Sequence, residues 1–484
     1  LIGAVCPSEI QNLVIKMLVF TSAINQCSRS LGTCAAAALM LVVALHASPP
    51  AVDGSLPEDS MPELKNILTA ALKQSPQMIL REIDLSQADA SRYLANSIRW
   101  PSLGGAVSYA SEQSAVSSNT DSKSKSSGLY YSLSLSQSFF QWGALKNQSE
   151  IAKIGVLAAE KNYAEAYRVL VGSLRSQYLA LVVKKATLEA LRFRLKLGEQ
   201  ALAVEEEKLQ NGMISVGDLI GPRQNLEESR LSADRLQEDY NYTKQLFAHL
   251  AGFEEIAEEL IANQISKPSF SPEKTNSLMT YLRQDNAQST FQLEIYALNG
   301  RQADLNYKIA RVRLLPKFYF GASTSLQNQN SANVSAGTVS QAGITTQAVN
   351  INAQWTLFDG FATRGAKRSA LATKRFYDRL AKTLIQTILD QAETQQRQLG
   401  FSARALDLVE TRFNLAIGGK DRAFEEFQLG NIPQTAVDES IASYNSANVA
   451  LMTTRAEFLV RWSDFVSLVG ADPALTLLPP RYVR

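Results

Sequence analysis

Thiol and imidazole chemistry are almost missing from this chain. All three cysteines, Cys6, Cys27 and Cys34, stand within the first 34 residues, so a mature protein that begins later holds no disulfide and no reactive thiol. Only His46 and His249 occur, which nearly excludes a histidine-built catalytic or metal site. No nucleophile is set beside a base, and the seven methionines are scattered, so neither an enzyme nor a methionine-lined metal path is expected, and no cofactor. A surplus of one charge is missing too: 48 Lys and Arg against 46 Asp and Glu leave a net charge of +2 and no basic tract. That excludes a nucleic-acid partner. There is also no apolar run long enough for a membrane helix, since Ala35–Leu45 spans about 11 residues where ~20 are needed.

That short run has another reading. From Met17 a weakly cationic start containing Arg29 precedes it, and His46, Ala47, Ser48 and two prolines follow, the pattern of a secretory signal peptide cleaved near Ala47. Residues 1–47 are therefore expected to be a leader with an over-extended start, and 48–61 a linker. Cys34 precedes the apolar run, a poor place for a lipid anchor.

Beyond the leader two periodicities alternate. Pro62–Arg99 has a helical apolar stripe through Leu64, Ile67, Leu68, Ala71 and Leu72, interrupted by Pro76 and ended by Trp100 and Pro101. Leu103, Gly105, Val107 and Tyr109 then alternate with small or polar residues, and a polar loop is expected over Ser111–Ser127. Leu129–Phe139 alternates almost without error, Tyr131, Leu133 and Leu135 against Ser132, Ser134 and Ser136. Gln141–Gln210 is free of proline, and roughly 70 residues at about 1.5 Å each predict a helical rod on the order of 100 Å. Asn211 and Gly212 signal a turn, and helical spacing resumes over Asp218–Leu250 with Pro222 near its start.

The order then repeats. A helical stretch covers Ser271–Arg311, Phe318–Leu326 reads as a strand, a polar loop is expected over Gln327–Gln347, and Val349–Leu357 alternates again before Phe358, Asp359 and Gly360 break the pattern. Phe140 and Phe358, Gly212 and Gly430, and Gly252 and Gly470 each lie 218 positions apart, which marks a tandem duplication. The expected divisions are 62–252 and 271–472 for the repeats, 253–270 for a connector and 473–484 for a tail.

Four strands of bilayer-crossing length, each with one apolar and one polar face, cannot close a barrel alone, and lipid tolerates no open edge. Three chains give twelve strands; two give eight and little lumen. The expected fold is an α+β membrane protein, a trimeric transmembrane β-barrel of twelve strands, four per chain, continued by a long α-helical coiled coil. The rival is a soluble coiled-coil adaptor or scaffold of the periplasm whose strands form a small sheet.

The duplicated order, the motif Leu357-Phe358-Asp359-Gly360, the turns at Gly212 and Gly430, and the segment Leu68-Thr69-Ala70-Ala71-Leu72-Lys73-Gln74-Ser75-Pro76 together resemble the TolC-like outer membrane efflux proteins. The resemblance spans Pro62–Pro473. It implies a homotrimeric exit duct in the outer membrane of a Gram-negative-type bacterium, in contact with outer-membrane lipid and working with a periplasmic adaptor protein and an inner-membrane pump in drug efflux or type I secretion.

For the site residues the resemblance carries over in part. It implies an acidic gate near the glycine turns. Asp218 matches an acidic position of the family's first-repeat tip, Ala436 replaces the usual second-repeat acid, and Glu439, with Asp438 beside it, stands near a second one. The aromatic and basic latch partners are replaced by Phe427 and Ile432. Asp218 reads equally as a first-turn carboxylate favoured by the helix dipole, and Glu439 as a solvated helix residue. Asp359 is expected to cap the helix that follows it; its first-repeat counterpart, Phe140-Gln141-Trp142-Gly143, lacks the acid. Trp355, Tyr109, Tyr131 and Phe318 are either interface-belt aromatics or simply lipid-facing. Gly418 and Gly419 predict a break in the second long helix.

Overall fold

The computed structural model describes residues 56–116, 122–285, 287, 290–333 and 338–483. The leader, its cleavage point and the three cysteines lie outside the described residues.

The chain opens with α1 (Pro57–Ser60), α2 (Pro62–Gln74) and α3 (Pro76–Ser97). Ser75 is extended between the last two (φ −60°, ψ 130°) because the ring of Pro76 bars it from the helical region. Then come β1 (Ser102–Val116), β2 (Ser122–Phe140), α4 (Ala144–Gln210), a 3₁₀ turn over Val216–Leu219 and α5 (Ile220–Ala251). The second pass runs α6 (Pro272–Gln284), α7 (Phe291–Arg311), β3 (Lys317–Asn333), β4 (Thr338–Gln354), α8 (Ala362–Gln428) and α9 (Gln434–Val469), and α10 (Pro480–Val483) follows. α4 and α8 are each 67 residues long and begin and end 218 positions apart. The same offset relates Val216–Ala251 to α9. The duplication is thus kept to the residue in the rods, and helices near 100 Å result at 1.5 Å per residue.

The strands pair antiparallel in the order β1-β2-β3-β4. Their register brings like faces together. Val107 pairs with Tyr131, Tyr131 with Leu326, Leu135 with Ala322, Ala322 with Val349 and Phe320 with Ile351 on one face. Ser102 pairs with Ser136, Ser134 with Ser323 and Gly321 with Asn350 on the other. β1 and β4 are edges without a neighbour among the described strands, and apolar Leu103, Val107, Tyr109, Val349 and Ile351 are all at least 65% exposed.

Several boundaries differ from the sequence expectation. The strands are 15 to 19 residues long, so most of the two expected polar loops is ladder. Backbone pairing across a hairpin needs no apolar side chain, and it runs on through Ser, Gln and Asn. β4 stops at Gln354 and α8 starts at Ala362, which leaves Trp355–Phe361 as a junction. The expected break at Gly418 and Gly419 is absent. α8 passes through both, because a helical φ is open to glycine and costs only about 0.5–1 kcal/mol relative to alanine. The helical stretch from Ser271 divides between Gln284 and Phe291.

α3, α4, α7 and α8 lie side by side beneath the sheet in the order of its strands, and α5 and α9 pack along the far halves of α4 and α8. The core sits at mid-height, where α2, α6 and the segments at both ends wrap the rods. One cluster joins Leu64, Leu68, Tyr167, Leu174, Tyr178 and Phe247, and the other Leu282, Ile388, Leu399, Phe458 and Phe465. The stretches expected to be linker, connector and tail supply part of it. Met61, Ile256, Ile261, Ile265, Ala474 and Leu478 are all buried, and Tyr482 stacks on Tyr163 with ring centres 4.4 Å apart.

Candidate functional site

The two ends of the rods carry the residues singled out by sequence. At the far tip α4 ends in a turn closed by two hydrogen bonds, Met213 N–H to the Lys208 carbonyl at 2.9 Å and Gly212 N–H to that of Leu209 at 3.0 Å. α8 repeats them with Asn431 to Glu426 and Gly430 to Phe427, both 2.9 Å. Gly212 (φ +73°) and Gly430 (φ +75°) occupy the left-handed region that this turn demands.

Asp218 follows the first turn and caps the 3₁₀ segment. Its Oδ2 accepts from Ser215 N–H and Ser215 Oγ, each at 2.8 Å, which completes a reciprocal capping box. These hydrogen bonds, the backbone one first, hold the carboxyl below its ordinary range. Asp438 accepts from Gln434 Nε2 at 3.0 Å one turn earlier on α9. Glu439 is exposed and lines a groove of about 950 Å³ between α4, α5 and α9, together with Arg194, Glu205 and Pro222. Asp218 is not part of that groove. Among the described residues no three His, Cys, Asp or Glu side chains gather as a metal site would require.

At the other end the chain passes from strand to helix through two consecutive left-handed residues. In the first repeat these are Trp142 (φ +52°) and Gly143 (φ +82°), in the second Gly360 (φ +61°) and Phe361 (φ +68°). The glycine and the aromatic have changed places. A left-handed aromatic costs roughly 1–2 kcal/mol, and neighbouring groups hold it. Trp142 packs edge-on against Phe140 with centres 5.1 Å apart, and Phe361 against Phe358 at 5.5 Å. Trp142 Nε1 donates to the Pro316 carbonyl at 2.8 Å, and Trp355 Nε1 to that of Leu314 at 3.0 Å. Both indoles tie the junctions to the turn before β3.

Asp359 caps as expected. Its Oδ2 accepts from Thr363 N–H at 2.8 Å and Thr363 Oγ1 at 2.5 Å, and the hydroxyl contact leads in lowering its pKa. In the first repeat Gln141 turns back to Ser138 Oγ instead, at 2.7 Å. Of the strand aromatics, read either as an interface belt or as lipid-facing, Tyr109, Tyr131 and Trp355 are exposed and Phe318 is half-buried.

Sequence reasoning missed a buried ion cluster at mid-height. Arg175 is fully buried on α4 and forks onto Asp472, at 2.6 and 2.9 Å, and onto both oxygens of Glu58, with Ser463 Oγ at 2.8 Å. Burial pulls its pKa down, but the hydrogen bonds and charges of Asp472 and Glu58 outweigh it and the guanidinium stays charged. A signal was present: Arg175 interrupts an otherwise apolar stripe of Val171, Leu174, Tyr178 and Val182.

Residues 67–252 match the family model described as outer membrane efflux protein. The fold is similar to that of the Campylobacter jejuni CmeC outer membrane channel, with a TM-score of 0.66 and 16% identity over 87% of this chain and 89% of that one. It is also similar to the outer membrane protein VceC of Vibrio cholerae, with a TM-score of 0.59 and 19% identity over 85% and 97% of the two chains. The Neisseria gonorrhoeae MtrE outer membrane channel in its open state gives 0.58 and 15% over 84% and 89%. No curated protein sequence matches the chain.

Proposed function

We infer that this chain is a TolC-like outer membrane efflux protein that acts as the passive exit duct of an export system, spanning the outer membrane and reaching into the periplasm. One observation carries the reading: a four-stranded sheet with an apolar face, a polar face and two open edges, set on rods near 100 Å long. Such a sheet is unstable in water by itself, because exposed apolar strands and unpaired edges invite association. Three copies closing edge to edge give twelve strands with lipid on the apolar side and solute on the polar side. The rods then enclose a tunnel beneath. No helix among the described residues is long and apolar enough to cross a membrane.

In this reading the chain performs no catalysis, and an adaptor protein and an inner-membrane pump supply direction and energy. The Ser, Asn, Gln and Thr of the polar face suit many solutes, so small toxic molecules are the favoured cargo and secreted proteins the second. Asp218, Asp438 and Glu439 stand at the tip where a constriction forms, and a ring of acids there favours cations.

Deletion of the gene followed by exposure to dyes, bile salts, antibiotics and metals tests this directly. Hypersensitivity to chemically unrelated compounds, with the protein retained in membranes after carbonate extraction, is the expected result. Unchanged sensitivity and release by carbonate contradict the duct and favour a soluble scaffold.

A further inference from the structure

Charge along this chain is unevenly placed. The four segments that flank the helix-side ends of the strands, residues 96–103, 137–150, 308–320 and 353–370, hold nine Lys and Arg and only two acids, Glu150 and Asp359, in a protein whose total charge is +2. The opposite ends of the hairpins are balanced: residues 111–127 hold two acids and two lysines, and 327–347 hold no charge. Asp359 accepts from Thr363 and its charge also reaches Arg313, one acid set against the nine cations. Arg99, Arg311, Arg313, Lys317, Arg364 and Arg368 form no salt bridge among the described residues, and all are exposed or half-exposed.

These cations surround a built hollow. Where α4 and α8 begin and α7 ends, a cavity of about 580 Å³ carries Gln141, Gln148, Asn306, Arg313 and Lys317 on a wall otherwise made of Ile309, Val312 and small Ala, Ser and Thr side chains, with no carboxylate in the lining. Amide donors and two cations without an acid form a seat for a phosphate. Exposed rings mark the same level: Trp100 is 72% accessible, Trp355 61%, Phe358 71% and Trp142 44%. Aromatic side chains of this kind settle at the boundary between hydrocarbon and headgroups, and clustered cations beside such a boundary are drawn to anionic lipid at about 1 kcal/mol each.

We propose that this hollow seats the headgroup of an anionic phospholipid of the inner leaflet, with Arg313 and Lys317 against the phosphate and the surrounding arginines enriching such lipid around the collar. The proposal rests on the barrel reading above, and it sets the height of the barrel in the bilayer: the cationic rim holds to the leaflet that faces the rods, while the balanced hairpin ends have no such preference.

Three of the four tryptophans report on the site, since Trp100, Trp142 and Trp355 lie at the rim and only Trp462 is buried in the core at 3%. The mature chain is reconstituted into phosphatidylcholine vesicles in which either phosphatidylglycerol or phosphatidylcholine is brominated high on the acyl chain, and tryptophan quenching is compared at equal bromolipid content. The wild type is expected to be quenched at least about twofold more by the anionic lipid, and the preference to fall to parity at about 0.5 M salt, where the Debye length shrinks to a few Å. Arg313→Gln with Lys317→Gln removes most of the preference, and Arg364→Gln with Arg368→Gln, which leaves the hollow intact, removes part. Equal quenching by the two lipids in the wild type, a preference that survives the first double variant, or displacement by free glycerol phosphate at matched concentration overturns the proposal. Absence of quenching by either lipid means that the chain did not insert, and it overturns the barrel reading itself.

Discussion

Arg175 and Asp472 meet through two hydrogen bonds of 2.6 and 2.9 Å in a place where their side chains are 0% and 1% exposed. The pair joins the first long rod to the start of the C-terminal segment, and Glu58 brings in the N-terminal one. Asp472 also accepts from Ala474 N–H at 3.0 Å. One guanidinium therefore fastens both ends of the described chain to α4. Removing a partner from a buried ion pair typically costs about 3–5 kcal/mol because the other charge is left without compensation. Arg175→Met, which keeps volume and removes charge, is expected to lose roughly that much in urea unfolding of the detergent-solubilised protein. A loss within experimental error contradicts the clamp.

Two glycines with the same backbone predict different outcomes. At Gly252 (φ +86°) an added Cβ comes within 2.2 Å of the Gln74 carbonyl oxygen, whereas at Gly430 (φ +75°) nothing lies within 4 Å. Gly430→Ala should cost only the left-handed penalty, roughly 1–2 kcal/mol. Gly252→Ala should cost clearly more, since the end of α5 and the α2–α3 joint must move apart. Thermal melts of the two variants side by side check the order.

Gly418 and Gly419 lie within a continuous helix with open space around each Cβ position. Alanine at either is expected to stabilise α8 by about 0.5–1 kcal/mol, read as a raised melting temperature. A destabilised variant would mean that the helix bends there in the assembled protein.

Asp218 and Asp359 have pKa values lowered by hydrogen bonds from Ser215 and Thr363. The sign follows from linkage: a carboxyl whose folded pKa is depressed adds stability above its unfolded value, near 3.9, and that contribution disappears as pH falls through the folded value. Ala at either position should lower stability at neutral pH and shrink the loss between about pH 5 and the acid limit. Stability profiles of the variants against pH test this, and an unchanged acid limb at Asp359→Ala contradicts its capping role.

Much of this was legible in the sequence because it depends on short-range periodicity. The alternation from Leu129 to Phe139 and the spacing of Gly212 and Gly430 needed no knowledge of the fold, and the cap at Asp359 followed from one acid at a helix start. What stayed hidden depends on contacts distant in sequence. Glu58, Arg175 and Asp472 are brought together only by the wrapping of both ends around α4, so Met61 and Leu478 read as linker and tail until packed. The strands ran beyond their apolar stretches because ladder bonds are indifferent to side chains such as Gln327 and Asn328. Gly418 and Gly419 do not break α8, since glycine takes a helical φ at a cost that the turns on either side absorb. At the tip Asp218 caps its turn, Asp438 bonds Gln434 and Glu439 lines a groove of its own chain, contacts that depend on the fold and not on local spacing.

Edge-to-edge closure of the sheet is the central claim, and residues 49–484 contain no cysteine, so introduced thiols report without background. Ser108→Cys on the β1 edge and Asn350→Cys on the β4 edge, placed together in the mature chain in membranes and treated with a short bis-maleimide, should give a ladder of monomer, dimer and trimer that stops at three. Neither single variant should pass beyond monomer. A ladder that continues past three, or monomer alone from the double variant, contradicts a twelve-stranded barrel made from three copies.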